Sequence, residues 1–305
     1  MGGAATLLVA MSLGAPAFAQ GTLNVAISDE PPHLDTQMTT ATLTTLVNLN
    51  MMETLYAFNA DNEAVPLLVA SETMSDDGLT AVLTLRDDVV FHNGEPMMAD
   101  DVVASLARWG EHGGRGKLFF DKVSSVEATG DHEVTITFTD VFGPWKNLLA
   151  FVNGGPAIYP AETMAAAGGE PLAPDAIVGT GPFMFNEWRP NRYIELVKFE
   201  DYAPHPDPAS GYAGGHEALV DAVRFVAVPD VGTRVSGVQA GDYDYAERIT
   251  GDLFADLEAD ESVETLKHGS PTMPLLFFNS AEGIFKDNYA LRRAMLASLT
   301  PADAM

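Results

Sequence analysis

The side chains that could do chemistry here are acids and histidines, because the chain has no cysteine. Without a thiol there is no disulfide, no thiol nucleophile and no Cys-ligated zinc. Seven histidines are present, and none forms the His-Glu-x-x-His pattern of a zinc-bearing helix. His205 with Asp207, and His216 with Glu217, come nearest to a metal site. Both pairs sit among prolines and glycines, so each is either a weak loop site or a pair of solvated side chains, and no metal is expected. Gly110–Lys117 (GEHGGRGK) resembles a phosphate-binding loop but fails on spacing: Glu111 stands where the first glycine belongs and Leu118 where a Ser or Thr is needed. There is no Gly-x-Ser-x-Gly nucleophile elbow. With 43 acidic residues spread along the chain, no carboxylate pair stands out as a catalytic dyad. Nothing requires an enzyme or a cofactor.

Composition narrows the classes further. The chain has 305 residues, enough for two domains, and is 47% hydrophobic, enough for a large core. The net charge of -27 argues against nucleic acid or an anionic membrane surface as partner. Two readings of that charge stand, a solvated acidic surface and a cationic ligand. Leu7–Met11 is a short apolar run, and Ala17-Phe18-Ala19 is a small-residue cleavage signal, so residues 1–19 are expected to be a signal peptide, although the usual positive start is missing. The alternative is a buried N-terminal helix, which Pro16 disfavours. No cysteine follows the cleavage signal to carry a lipid, so the expected location is the periplasm, in soluble form.

The elements that would position any site follow from period and punctuation. Thr22–Ile27 reads as a strand and runs into Ser28–Asp35, a polar loop stiffened by Pro31 and Pro32. Such a loop is either a place where ligands bind or a plain connector. Thr39–Met52 fits a helix; Leu55–Phe58, Val65–Val69 and Leu79–Leu85 fit strands. After the Asn93-Gly94 turn, Val102, Val103, Leu106 and Trp109 share one helical face, with Met98 where a capping Thr would help and Asp100 or Asp101 able to cap instead. Val123–Ala128 and Glu133–Thr139 form a hairpin, with Val134, Ile136 and Phe138 on one side; two short helices follow, Pro144–Phe151 and Pro160–Ala167. Gly168–Asp175 is the best linker candidate. Next comes VGTGPFMFNEWRPNRYIELVKFEDY (Val178–Tyr202), a glycine-bearing entry followed by a hairpin turning at Arg189–Arg192. In it Gly179 and Gly181 supply backbone freedom. Leu219–Val228 is a strand, Pro229–Gly241 a helix and its stop, Asp242–Ala246 a short strand, Leu275–Asn279 an apolar strand, and Tyr289–Ala297 a helix.

Four phrases, in order, carry a resemblance: VVFHNGEPMMADDVVASLARW (Val89–Trp109, with Arg108 in place), the GTGPF hairpin, PDVGTR with QAGDYD (Pro229–Asp244), and LLFFN followed by YALRRAMLA (Leu275–Ala297). Together they resemble the extracellular solute-binding proteins of peptide- and nickel-type ABC importers, solute-binding family 5. The resemblance implies an α/β fold of the periplasmic-binding-protein type, two lobes with mixed sheets around a cleft. It divides the chain into residues 20–55 and 170–268 as a first lobe, residues 56–169 as an inserted α+β domain, and residues 269–305 as the start of a second lobe that is mostly missing. The chain is expected to be a C-terminally truncated fragment, against the alternative of a complete smaller protein.

The implied function is capture without chemistry: a peptide or similar small solute is held, and a monomeric protein delivers it to an ABC permease and its ATPase. The family's ligand contacts fall here on Glu30, Pro32 and His33, on Glu247 and Arg248, and on Thr272, Met273 and Pro274. Glu30 would meet an amino end and Arg248 a carboxylate; each is equally an exposed loop charge. Peptide, nickel chelate, haem, sugar and opine-like ligands are not separable. The rival readings are a secreted α/β hydrolase and a truncated, non-binding remnant.

Overall fold

Alternating apolar residues build two sheets, and a third, two-stranded ribbon lies between them in sequence. The structure is a computed structural model and describes residues 21–267 and 276–299. In chain order the elements are β1 (Thr22–Ile27), α1 (Thr42–Asn48), β2 (Tyr56–Phe58), β3 (Ala64–Pro66), β4 (Val69–Met74), β5 (Thr80–Leu85), α2 (Ala99–His112), α3 (Gly114–Phe120), β6 (Val123–Gly130), β7 (Glu133–Phe138), α4 (Trp145–Ala150) and α5 (Ala161–Ala166). There follow β8 (Phe183–Arg189), β9 (Tyr193–Lys198), β10 (Ala222–Ala227), α6 (Val231–Ala240), β11 (Tyr245–Ala246), α7 (Gly251–Glu258) and α8 (Tyr289–Ser298). The chain divides between Ala255 and Asp256 into two compact units.

In the first unit one sheet has the order β11-β1-β10-β9-β8. β1 is parallel to both β10 and β11, while β10–β9 and β9–β8 are antiparallel. Its core gathers Val25, Ile27, Val47, Met51, Tyr159, Ile194, Leu196 and Phe225. The other sheet is antiparallel in the order β4-β5-β7-β6. Ala81, Leu83 and Leu85 of β5 and Val134, Ile136 and Phe138 of β7 are buried in one cluster with Val102, Leu106 and Trp109 of α2 and Phe119 of α3. The period of two in the strands and of 3.6 in the helix bring both faces to the same core. In the second unit, α8 has no buried residue.

Several sequence expectations change. The first helix, Thr42–Asn48, is shorter than Thr39–Met52; beyond it the Asn50 and Met51 carbonyls accept Phe183 N–H (3.0 Å) and Gly181 N–H (2.9 Å). Gly179 and Gly181 do not adopt a positive φ. They are needed for close approach instead: a Cβ on Gly179 would lie 2.2 Å from Met51 O, and one on Gly181 2.7 Å from Met51 C. The run Val65–Val69 splits into the end of β3 and the start of β4. Leu276–Asn279 form no strand; the stretch has no neighbouring strand among the described residues to complete a ladder. Asp101, rather than a Thr, caps α2 by accepting Met98 N–H at 2.7 Å, and its other oxygen takes Ala161 N–H at the start of α5, also at 2.7 Å. Residues 168–175 are not a free linker: Leu172 is buried, and its N–H donates to Asp35.

Candidate binding site at the carboxyl edge of the five-stranded sheet

Parallel strands end on the same side, so β1, β10 and β11 present three carboxyl-terminal loops along one edge. In open α/β sheets this edge is where ligands bind, because loops there can carry polar groups on a rigid support. β8 runs in the same direction as β10, so the β8–β9 turn joins them.

The loop after β1 is fixed from both ends. At its start, Glu247, just past β11, accepts Ser28 N–H at 2.9 Å and Ser28 Oγ–H at 2.8 Å through Oε1. Glu247 N–H in turn donates to Ala26 O at 3.1 Å. Glu30 accepts Asn191 N–H at 2.6 Å, which ties the loop to the β8–β9 turn, where Asn191 has φ 59°. His33 is half-buried; its Nδ1 accepts Asp35 N–H at 3.3 Å, and its carbonyl takes Thr44 Oγ–H at 2.6 Å. Burial holds the His33 imidazole below its ordinary pKa; Asp35 opposes that, and Arg108 adds to it. At the far end Asp35, fully buried, binds Arg108 at 2.6 Å, and Arg108 also donates to Gln37 Oε1 at 2.9 Å.

The predicted residues fall as follows. Glu30, Pro32, His33, Glu247 and Arg248 all lie on loops at this one edge. Pro32 is exposed. Arg248 is exposed, with Nε 3.8 Å from Glu247 Oε2, and has φ 53°. Thr272, Met273 and Pro274 lie outside the described residues. Chemically the edge offers two carboxylates already engaged by neutral donors, an outward guanidinium and a half-buried imidazole. That set can bind a charged or polar solute by hydrogen bonds.

Sequence reasoning missed Arg234, which is buried on the first turn of α6 beneath these loops. Its only signal was its place in the PDVGTR phrase. It also missed Ser28, and it took Arg108 as part of a phrase without seeing Asp35 as its partner.

Away from this edge, a concavity of about 560 Å³ is lined by Asn48, Asn50, Glu53, Phe183 and Tyr212 and by His216 and Glu217, one of the two weak metal pairs, but by none of the predicted ligand contacts. Glu53 accepts Thr180 Oγ–H at 2.8 Å and Tyr202 O–H at 3.0 Å, and burial raises its carboxyl to about 7. Of the two weak metal pairs, His205 and Asp207 stand 3.8 Å apart. Among the described residues no three such side chains are grouped to hold a metal ion.

Against known proteins, residues 63–299 match the family described as bacterial extracellular solute-binding proteins, family 5 Middle. The probable peptide ABC transporter periplasmic-binding protein y4tO of Sinorhizobium fredii is 30% identical over 234 residues, covering 75% of this chain and 43% of that one. The glutathione-binding protein GsiB of Escherichia coli is 26% identical over 317 residues, covering 97% of this chain and 56% of that one. The chain therefore spans about half the length of the curated relatives it matches. Among solved structures, the binding protein AgaA of A. tumefaciens R10, in complex with agropinic acid, aligns with a TM-score of 0.66 at 28% identity, over 79% of this chain and 46% of that one. DppA of Helicobacter pylori, in complex with the peptide STSA, shares the fold with a TM-score of 0.66 at 24% identity, over 79% of this chain and 49% of that one. The family match covers most of the chain and takes in the four phrases from Val89 to Ala297, so the chain belongs to the bacterial extracellular solute-binding proteins, family 5.

Proposed function

We propose that the chain is the solute-capturing component of an ABC importer, binding a peptide or similar small solute at the carboxyl edge of its five-stranded sheet and handing it to a membrane permease driven by an ATPase. The observation that carries this reading is the Ser28–Glu247 link, which makes the loops after β1 and β11 one surface. The relatives, one named for peptide transport and one for glutathione binding, support the solute class. Glu30, Pro32, His33, Glu247 and Arg248 are the contacts on this edge; Thr272, Met273 and Pro274, the other contacts that the family resemblance implies, lie outside the described residues. Arg248 takes a carboxylate, and the second oxygen of Glu30 takes an amino group, with Glu247 Oε2, 3.8 Å from Arg248 Nε, beside it. No covalent step is involved. Closure over the solute draws on contacts made only in the closed state.

The same reading places the protein in the periplasm, with residues 1–19 as its signal peptide. Among the described residues no helix is long and apolar enough to cross a membrane. It also divides the chain into residues 20–55 and 170–268 as one lobe and residues 56–169 as an insertion. All five strands of the parallel-containing sheet come from the first set of segments, and all four of the antiparallel sheet from the second.

The test is a thermal-shift and calorimetric screen of the full chain against di- to pentapeptides, glutathione and agropinic acid. A binder at 100-fold excess over Kd stabilises the fold by about 2.7 kcal/mol, and Arg248→Ala weakens carboxylate-bearing solutes selectively. A flat response across the panel, or turnover of a chromogenic ester, overturns the reading.

A further inference from the structure

Arg234 is the most enclosed cation near the binding edge, 3% exposed, and none of its bonds goes to a carboxylate. Nη1 donates to Val228 O at 2.6 Å and Pro229 O at 2.9 Å; Nε donates to Glu247 O at 3.2 Å, and Nη2 to Arg248 O at 3.2 Å. Among the described residues no acid lies within ion-pair distance of it, in a chain with 43 acids to 16 basic residues. The planar fork therefore acts through its geometry: it reaches two carbonyls at the end of β10 and two past the end of β11, which a single ammonium on a flexible stem cannot do. One of the gripped carbonyls belongs to Arg248, whose φ of 53° is uncommon for a residue with a side chain. Such a conformation persists only where neighbouring bonds over-determine it, and Nη2 supplies one of those bonds. Glu247 is held at three points: its N–H on Ala26 O, its carbonyl on Arg234 and its carboxylate on Ser28.

We propose that Arg234 is a positioning residue for solute binding: its grip on four carbonyls fixes the loops after β10 and β11, so that Glu247 and Arg248 meet the solute in one preformed geometry. Arg234 itself touches no solute. The proposal rests on the function given above, and its test separates the two.

The test uses the full chain, with Arg234→Lys and Arg234→Met. Amide exchange is read residue by residue, and binding is measured with tetra-alanine and any panel peptide that binds more tightly. Arg234→Lys is expected to keep its charge and fold while the hydrogen-bonded Glu247 and Ser28 amides exchange at least tenfold faster, with amides in β5 and β7 unchanged. Peptide affinity is expected to fall about tenfold, and Arg234→Met to behave alike, since the charge is not what is used. In wild type the Glu247 amide is expected to exchange as slowly as those at the centre of β1. Fast local exchange there, or a Lys variant with intact affinity, or acceleration spread evenly over both sheets, overturns the positioning role. If wild type binds no peptide, the function reading fails alone and the local exchange pattern still decides this one.

Discussion

At the residue scale, the groups that matter most are buried and polar. Asp35 and Arg108 form an ion pair almost free of solvent, completed by Gln37 and by Leu172 N–H. Removing one partner leaves a buried charge uncompensated, so Arg108→Met is expected to cost about 3–5 kcal/mol, read as a lower urea midpoint at unchanged slope. Two further groups give a pH signature. Glu53 is raised from 4.5 to about 7 by burial, with its bonds to Thr180 and Tyr202 opposing the shift. The folded chain holds that proton more tightly, so its contribution is complete below 4.5 and is lost as pH rises through 7. His92 is lowered from 6.5 to about 4 by burial, against its bond to Gly181 O. Its Nδ1 accepts Gly179 N–H at 3.2 Å, which needs the neutral ring. Its contribution is complete above 6.5 and is lost as pH falls through 4. Each amounts to about 3 kcal/mol, and between 4.5 and 6.5 they oppose. Subtracting the Glu53→Gln stability profile from that of wild type should therefore give a curve falling from pH 4.5 to 7, and subtracting that of His92→Asn one rising from pH 4 to 6.5. A flat difference in either case removes that assignment.

At the element scale, helix ends and crossings were readable to different degrees. Asp230 caps α6, accepting Thr233 N–H at 2.7 Å and Thr233 Oγ–H at 2.8 Å, and Gly241 closes it at φ 79°. The stop at Gly241 was legible in the sequence; the cap at Asp230 was found in the structure. Asp230→Ala is expected to lower the unfolding temperature, measured by thermal unfolding. The α2–α3 contact was not readable. Gly116 in α3 lies against the α2 backbone, and a Cβ there would come 2.0 Å from Trp109 O. Gly116→Ala must push two helices apart and is expected to cost at least about 3 kcal/mol, at or above the upper end for overpacking. From sequence alone, Gly110–Lys117 looked like a failed phosphate loop; Gly110, Gly113 and Gly116 instead let Phe120 and Trp109 approach closely, while Gly114 faces open space. In β8 the alternation of Phe183 and Phe185 does not continue to Trp188, because the register shifts between Phe185 and Glu187.

For the whole molecule, a charge of -27 on 305 residues sets a repulsive background. Salt screens exposed charges and hardly touches buried pairs. Raising sodium chloride from about 10 mM to about 500 mM, one Debye length of about 30 Å against one under 10 Å, is therefore expected to raise the unfolding temperature by several degrees. The destabilisation caused by Arg108→Met should stay the same at both salts. A fall in stability with salt would mean that exposed ion pairs such as Arg189–Glu187, rather than repulsion, dominate the surface.

By itself the sequence determined the family and many of the strands and helices, though not α3 or α7. Period-two strands, the α2 stripe, the helix stop at Gly241 and four ordered phrases are local facts, and local chemistry writes them into neighbouring residues. It also marked the loop Ser28–Asp35, because a strand running into prolines and acids is legible in a few positions. Tertiary structure alone decided which loops share an edge. Ser28 meets Glu247, Glu30 meets Asn191, and Asp35 meets Arg108 across 219, 161 and 73 residues of chain. No pattern of nearby residues encodes such pairings. They arise when β1 inserts between β10 and β11, and burial then obliges each polar group brought together there to find a partner. That is why Arg234 passed unremarked in sequence: a guanidinium gripping four carbonyls has no spacing of its own, only a position in space that the sheet order creates.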